Sequence, residues 1–383
     1  MVKVQETDPS CRMPRPASPH FWRGLLKKGT ATMATIGPAW VPYRRDTELR
    51  FVVRAAAAAP SVHNTQPWRF ATHHHAIRLY ADPRYKLACA DPAGREMLIS
   101  CGAALFNVRL AVRRLGFAAK VRLLPDPAEA DLLAEVGWGW HAPPTAEETL
   151  LYRSIARRHT HRGPFTADIP PLLSGELVHV ALQEQAHLQV IYDPRRHRPL
   201  AGLIRVAEHI QRTSPGFAAE RTRWARPPGD LRRDGLPATA YPSQPDGMEF
   251  VGRDFACGAG WGYALASRPD ATNAIGLVAV LTTRDDSRLA WLQSGQALQR
   301  MLLHAASQGV SAAFHTQPLE LPQIRQRIRA EVTDGASPQM LLRFGRGGRT
   351  ATTPRRTVTQ MLMTGAPGEP SATARSGMAS AAG

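Results

Sequence analysis

Lysine is scarce in these 383 residues. Only Lys3, Lys27, Lys28, Lys86 and Lys120 carry it, so the formal net charge of +17 rests almost wholly on arginine. Carboxylates are also short, 31 against 48 basic residues, which favours anionic partners. Guanidinium forks bind phosphate bidentately, and this suits a nucleotide, a phosphorylated cofactor or nonspecific contact with nucleic acid. A GC-rich coding bias yields the same preference for arginine and alanine, and both explanations stand at this level. Cysteine is limited to Cys11, Cys89, Cys101 and Cys257, with no Cys-x-x-Cys pair, so neither a disulfide framework nor a zinc site is indicated. Cys101 sits in a helical pattern and reads as a packed residue. No apolar run reaches the length of a bilayer, and the amino terminus lacks the continuous hydrophobic region of a secretory signal. A cytoplasmic protein without membrane contact is expected.

With 43% hydrophobic residues the chain can bury a large core, or two halves that share one. Residues 1–40 and 363–383 are rich in small and polar residues without periodicity and are expected to be disordered. Recognisable pattern begins shortly after Met33, which makes it a candidate start alternative to Met1. Between the ends lies a duplication. Ser100-Cys101-Gly102-Ala103-Ala104-Leu105 leads through an apolar helix to Leu115-Gly116-Phe117, and Ser294-Gly295-Gln296-Ala297-Leu298 leads, 193 residues later, to Gln308-Gly309-Val310. Strands follow in both copies, at Lys120 to Leu124 and Ala312 to Thr316.

Further strands are expected at Trp68 to Thr72, Ile77 to Tyr80, Ala134 to Trp140, Leu188 to Tyr192, Ala274 to Thr282 and Gln339 to Phe344. Helices and strands mix without strict alternation, which places the fold in the α+β class. His73-His74-His75 has no acidic or cysteine partner nearby in sequence and reads as an exposed turn; no metal site is assigned. Residues 214–270 hold many Pro, Gly and Arg together with Trp224, Tyr241, Phe250, Trp261 and Tyr263. Two readings fit them: a lid over a pocket, or a surface excursion packed on itself. Gly258-Ala259-Gly260-Trp261-Gly262 lacks dinucleotide spacing.

The most informative stretch runs Ala59-Pro60-Ser61-Val62-His63-Asn64-Thr65-Gln66-Pro67-Trp68-Arg69-Phe70. Asp46 to Ala59 before it is an alanine-rich amphipathic helix, capped by Asp46 and stopped by Pro60. Ser61, Asn64 and Gln66 then set hydroxyl and amide groups on irregular backbone open to a ligand. This Pro-Ser-x-x-Asn-x-Gln-Pro-Trp segment resembles the nitroreductase superfamily, whose members use it to line the ring and ribityl side of bound FMN. Arg157-Arg158-His159-Thr160-His161-Arg162, with Phe165 following, resembles the family's phosphate segment, Thr160 replacing a serine. Alone, such a basic run is more often a solvated face. Gln317-Pro318-Leu319-Glu320 is similar to the loop set against the flavin ring, and Thr353-Pro354-Arg355-Arg356 to the basic segment that completes the phosphate site. Second-site counterparts, at Gln185 to Gln189 and Tyr43 to Asp46, are degraded.

The resemblance is closest to the Acg subgroup, made of two fused, diverged halves with an inserted lid, and covers about residues 46–362, including Asp91-Pro92-x-Gly94-Arg95-Glu96. It implies a nitroreductase-like α+β fold with an internal pseudo-dimer, halves at 41–144 and 145–362, and one flavin site per chain, for which a monomer suffices. FMN would be held by Ser61, Asn64, Gln66, Pro67, Trp68, Arg69 and Phe70, with Arg157, Arg158, Thr160, Arg162, Arg355 and Arg356 at the phosphate and Gln317, Pro318 and Leu319 at the ring. The implied reaction passes hydride from NAD(P)H through flavin N5 to a nitro, quinone or similar small-molecule acceptor, with no side chain assigned as catalytic. Two other functions remain open: a flavin-sequestering protein with a closed lid, and a basic nucleic-acid-binding protein.

Overall fold

The computed structural model describes residues 46–243, 249–256, 261–264, 274–348 and 351–363. The amino-terminal extension, Tyr43 to Arg45, Gly258 to Gly260 and the tail after 363 lie outside these described residues. Helix α1 (Asp46–Ala57) buries Leu49, Val52, Val53 and Ala56 on one face. Asp46 is its first helical residue, and its Oδ2 accepts from Arg50 Nε at 2.5 Å. Strands β1 (Trp68–His73) and β2 (Ala76–Ala81) are joined by a turn at His74-His75, both exposed. The triple histidine is therefore a hairpin tip. Helix α2 (Arg95–Arg114) follows, then β3 (Phe117–Leu123) and β4 (Leu132–His141). The four strands form one antiparallel sheet in the order β1-β2-β4-β3.

Helix α3 (Ala146–Ser154) opens with a capping box between Thr145 and Glu148. After it come α4 (Leu173–Leu182), β5 (His187–Val190), α5 (Pro194–Thr213), α6 (Pro215–Trp224), the short parallel pair β6 (Ala225–Arg226) and β7 (Leu236–Pro237), and β8 (Leu277–Thr283). Then α7 (Arg288–Ser307), β9 (Ser311–Phe314), α8 (Pro322–Glu331), β10 (Ser337–Gly345) and α9 (Val358–Met361) complete the described fold. The second sheet runs β5-β8-β10-β9, again antiparallel. With α5 to β7 and α8 set aside, the series α4-β5-β8-α7-β9-β10 repeats α1-β1-β2-α2-β3-β4, and both sheets have the same strand order.

The repeat meets itself at its centre. Helices α2 and α7 begin 193 residues apart and cross at Gly102 and Gly295. A Cβ on Gly102 would lie 2.2 Å from the Leu292 carbonyl oxygen, and one on Gly295 would lie 2.1 Å from that of Ile99. The contact is reciprocal between matched positions, as an internal two-fold axis requires. Glycine is needed here for backbone approach, a reason the one-dimensional pattern does not contain. Nearby, Gln299 Nε2 donates to Asn107 Oδ1 at 2.8 Å across the buried helix interface.

After β10 the chain returns to the first sheet. Phe70 bridges Leu362, and Met363 N donates to Phe70 O at 2.8 Å. Among the described residues no helix is long and apolar enough to cross a membrane. The segment between β5 and β8 has its own small core of Leu236, Ala240, Tyr241, Phe255 and Ala256. Inside it Arg221 pairs with Glu208 at 2.7 Å, and it docks through the buried ion pair of Arg253 with Glu320. Its residues Leu236, Pro242, Arg253 and Phe255 also contribute to the wall of a cavity.

Candidate functional site

The loop after α1 is held in a conformation that side chains resist. His63, Asn64 and Gln66 have φ of 48°, 57° and 53°, each in the left-handed region that costs a non-glycine residue of order 1 kcal/mol or more. Hydrogen bonds over-determine it. Ser61 Oγ accepts from Gln66 N at 2.9 Å. Asn64 Nδ2 donates to the Gly235 and Pro354 carbonyls at 2.9 and 3.1 Å, and its Oδ1 accepts from Arg355 Nη1 at 3.1 Å. Gln66 Nε2 donates to Arg233 O at 2.9 Å, while its Oε1 accepts from Arg356 N at 2.8 Å. The amides of Asn64 and Gln66 thus tie the inserted segment and the carboxy-terminal stretch to this loop, leaving backbone and Ser61 at the site.

Two adjoining cavities result. The smaller is lined by Ser61, Asn64, Arg158, Thr160, Arg162 and Arg355, among others. Arg158 is 6% exposed; its Nη2 reaches Ala58 O at 3.4 Å, whereas Nε and Nη1 have no partner. Arg355 Nε is likewise unpartnered. Among the described residues, no carboxylate forms an ion pair with Arg158, Arg162 or Arg355. Burial pushes their guanidinium pKa values down to about 9, about 10 and about 10; for Arg158 the charges of Arg355 and Arg162 add to this, and for Arg162 that of Arg355. One buried and two half-buried cations without an ion-paired carboxylate are unstable together. An oxyanion would balance them, with the Ser61 and Thr160 hydroxyls at hand as donors.

The larger cavity shares Pro60, Ser61, Thr160 and Arg162 with the smaller and spans about 940 Å³ including the solvent at its open mouth. Ile99, Leu298, Met340 and Phe255 give it apolar surfaces from α2, α7, β10 and the insertion. Its histidines are neutral. Burial, reinforced by nearby guanidiniums, holds His63 and His315 well below the ordinary imidazole pKa. His315 donates from Nδ1 to Val251 O at 3.2 Å and accepts at Nε2 from Arg343 Nε at 3.0 Å, which fixes its tautomer. Glu96, at the start of α2, is also buried; desolvation and then Glu320 outweigh its Arg95 contact of 2.7 Å and raise it to about 8. It carries a proton at neutral pH.

Of the residues expected at a site, Ser61, Asn64, Arg158, Thr160, Arg162 and Arg355 line these cavities. The others lie elsewhere. Trp68 and Phe70 point into the first core, and between them Arg69 faces Asp82 at 3.5 Å, because strand side chains alternate. Pro67 is a buried hinge into β1. Arg157 is exposed, over a separate depression with Ser307 and Gly309. Gln317, Pro318 and Leu319 form a buried 3-10 turn whose neighbour Thr316 reaches the cavity instead. Arg356 stacks on Tyr85, 4.4 Å from the ring centroid, and clamps Gln66 O. The sequence reading did not assign Glu96, His63, Arg253, Phe255, His315 or Arg343 to the site; His63 and Glu96 stood inside quoted motifs, and Arg343, a charge among Leu342 and Phe344, also carried a local signal.

No family model matches the chain. Relatives do. "Putative NAD(P)H nitroreductase Rv3131" of Mycobacterium tuberculosis is 33% identical over 346 residues, 88% of this chain and 95% of the relative. The chain belongs to the Acg-type branch of the nitroreductase superfamily. A second family member from the same organism, "Putative NAD(P)H nitroreductase acg", is 30% identical over 78% of this chain and 88% of its own length. Among solved structures, the FMN-dependent nitroreductase NfnB of Mycobacterium smegmatis in complex with NADPH aligns with 57% of this chain and 99% of its own at 15% identity and a TM-score of 0.36. A nitroreductase-family structure from Anabaena variabilis aligns with 80% of this chain and 74% of its own at 10% identity and a TM-score of 0.40.

Proposed function

We propose that this chain is an FMN-dependent NAD(P)H oxidoreductase that reduces a nitro, quinone or similar small acceptor. The observation that carries the proposal is the carboxylate-free cluster of Arg158, Arg162 and Arg355 beside a cavity walled by both halves. A phosphate monoester dianion matches that cluster, and the adjoining apolar space matches a planar ring. When bound, FMN would supply two-electron chemistry, so that a nitro group, NAD(P)H and a proton give a nitroso group, NAD(P)+ and water. Arg158, Arg162 and Arg355 would hold the phosphate, with Ser61 and Thr160 donating hydroxyl bonds. The insertion, through Leu236 and Phe255, would exclude water from the ring. Glu96 keeps a proton at the cavity wall near neutral pH, where reduction of a nitro group consumes one.

A second reading draws support from the bonds that Asn64 and Gln66 make to the insertion at Gly235 and Arg233. An insertion that stayed latched would bind FMN tightly yet bar nicotinamide, giving a flavin-sequestering protein. The absorbance spectrum before and after anaerobic NADPH separates the readings. A flavin band that bleaches within seconds supports the oxidoreductase; one that persists under NADPH but bleaches with dithionite supports sequestration. Absence of a flavin band after reconstitution with FMN rejects both.

A further inference from the structure

Once the arginine cluster of the smaller cavity is set aside, one guanidinium of the larger cavity has no ion-paired carboxylate among the described residues. Arg343 lies in the middle of β10, is 4% exposed, and lines the larger cavity but not the smaller. Its Nε donates to His315 Nε2, and its Nη1 donates to Ile275 O at 2.9 Å. Nη2 makes no hydrogen bond among the described residues. The rings of Phe165 and Phe250 flank the guanidinium at 5.2 and 5.1 Å and fix its plane.

The remaining charges near the cavity are accounted for. Arg253 forks onto Glu320, and both are bridged by Gln211. His63, His161 and His315 are neutral, since burial lowers all three. No carboxylate among the described residues forms an ion pair with Arg343; the charge of exposed Glu249 reaches it only from beyond ion-pair distance, and its β10 neighbours Leu342 and Phe344 are apolar. Burial outweighs Glu249 and drives the group down to about 10, so the fold bears a cost for keeping it there. His315, the Ile275 carbonyl and the two phenylalanine rings hold the guanidinium in place, and none of them neutralises it.

We infer that the electron acceptor of this cavity carries a compact anionic group, a carboxylate or similar oxyanion on a planar ring, which pairs with Arg343. The inference rests on the flavin reading above and names the substrate class of that site. Specificity follows from asymmetry: an anion completes the Nη2 hydrogen bond, whereas a neutral analogue leaves the buried cation unpaired.

The test uses the FMN-loaded full chain, reduced by dithionite under anaerobic conditions so that no nicotinamide step intervenes. Stopped-flow reoxidation is followed with 4-nitrobenzoate and with its uncharged methyl ester, and binding of each to the oxidised protein is titrated by the shift of the flavin band. The wild type is expected to favour the carboxylate at least about 10-fold in second-order rate and in affinity. Arg343→Gln should erase the preference by weakening only the anion, and Arg343→Lys should restore part of it while guarding against a folding defect. Equal treatment of the two probes by the wild type, equal loss of both in Arg343→Gln, or a preference that survives in both variants overturns the inference. A variant that shifts the flavin midpoint potential with selectivity unchanged places Arg343 on the ring and also overturns it. A wild type that takes up no FMN rejects the flavin reading itself, and this inference with it.

Discussion

The two halves share one scaffold and differ most in one connection. Between β1 and β2 the chain turns at His74-His75; between the corresponding β5 and β8 it runs from Ile191 to Gly276 and carries two helices and a small core of its own. The scaffold has remained two-fold where the halves touch, at Gly102 and Gly295, while the residues they give to the two cavities differ. Loop residues 59–67 supply Ser61 in the first half, and the equivalent approach to β5, Gln185-Ala186, supplies nothing comparable. Symmetry here is a property of the frame, and function resides in what breaks it.

The largest effect is expected where the symmetry is closest. Gly102→Ala and Gly295→Ala should each cost about 3 kcal/mol in urea unfolding, the upper part of the usual overpacking range, because each Cβ meets backbone oxygen. The double variant should cost clearly less than the sum, since either change already separates the helices. Additive losses would show that the two glycines do not report one contact.

Next come the groups that make the site one-sided. Arg158→Met should raise the FMN dissociation constant about 100-fold, the scale of losing charge-assisted bonds to phosphate, and should leave the flavin-free protein more stable by removing a buried cation. Arg157→Ala, one position away but exposed, should change the constant less than about twofold. Fluorescence titration of FMN checks both, and similar losses from the two would remove the assignment of Arg158. Gln66→Ala, which removes the side-chain bonds of the loop to Arg233 in the insertion and to Arg356 N, should speed flavin release by about 10-fold. An unchanged release rate would mean that the insertion is held elsewhere.

The smallest effect is a matter of pH. The folded state holds a proton on Glu96 up to about 8, while the unfolded chain gives it up in the ordinary glutamate range. Stability from this group is therefore full at low pH and falls as pH rises towards 8. Glu96→Gln should flatten unfolding midpoints across that window, and a slope identical to wild type would exclude Glu96 as its source.

Much of the frame could be read from sequence because it is periodic. The duplicated helix with its 193-residue offset, the alternating strands and the turn at His74-His75 all follow from local pattern. That Ser61, Arg158, Thr160, Arg162 and Arg355 share one cavity was legible where residues are contiguous, at Arg158 to Arg162, and where a motif fixes them, at Ser61 and Arg355. Contiguity also misled: Trp68, Arg69 and Phe70 belong to the same motif, yet strand alternation turns them to the core and to Asp82. Which of Arg157 and Arg158 faces inward depends on the turn after α3, and no local rule decides it. Glu96, His315 and Arg343 come together only when α2, β9 and β10 are assembled, so their meeting is a tertiary fact.

The return of the chain to β1 carries a consequence for biosynthesis. Asn64 and Arg355, which bond to each other, stand 291 positions apart, and Leu362 covers the edge of β1 that Phe70 presents. On the ribosome the first half is made early, with an open strand edge and a loop bent into left-handed turns but not yet pinned. An unpaired edge of this kind invites association with other nascent chains. A ligand of the smaller cavity could not assist at that stage, since Thr353 and Arg355 of its lining have yet to be translated. Synthesis of this protein thus has a long exposed interval, closed by the segment that pins the loop and covers the edge, and a chaperone acting on the β1 edge would act within that interval.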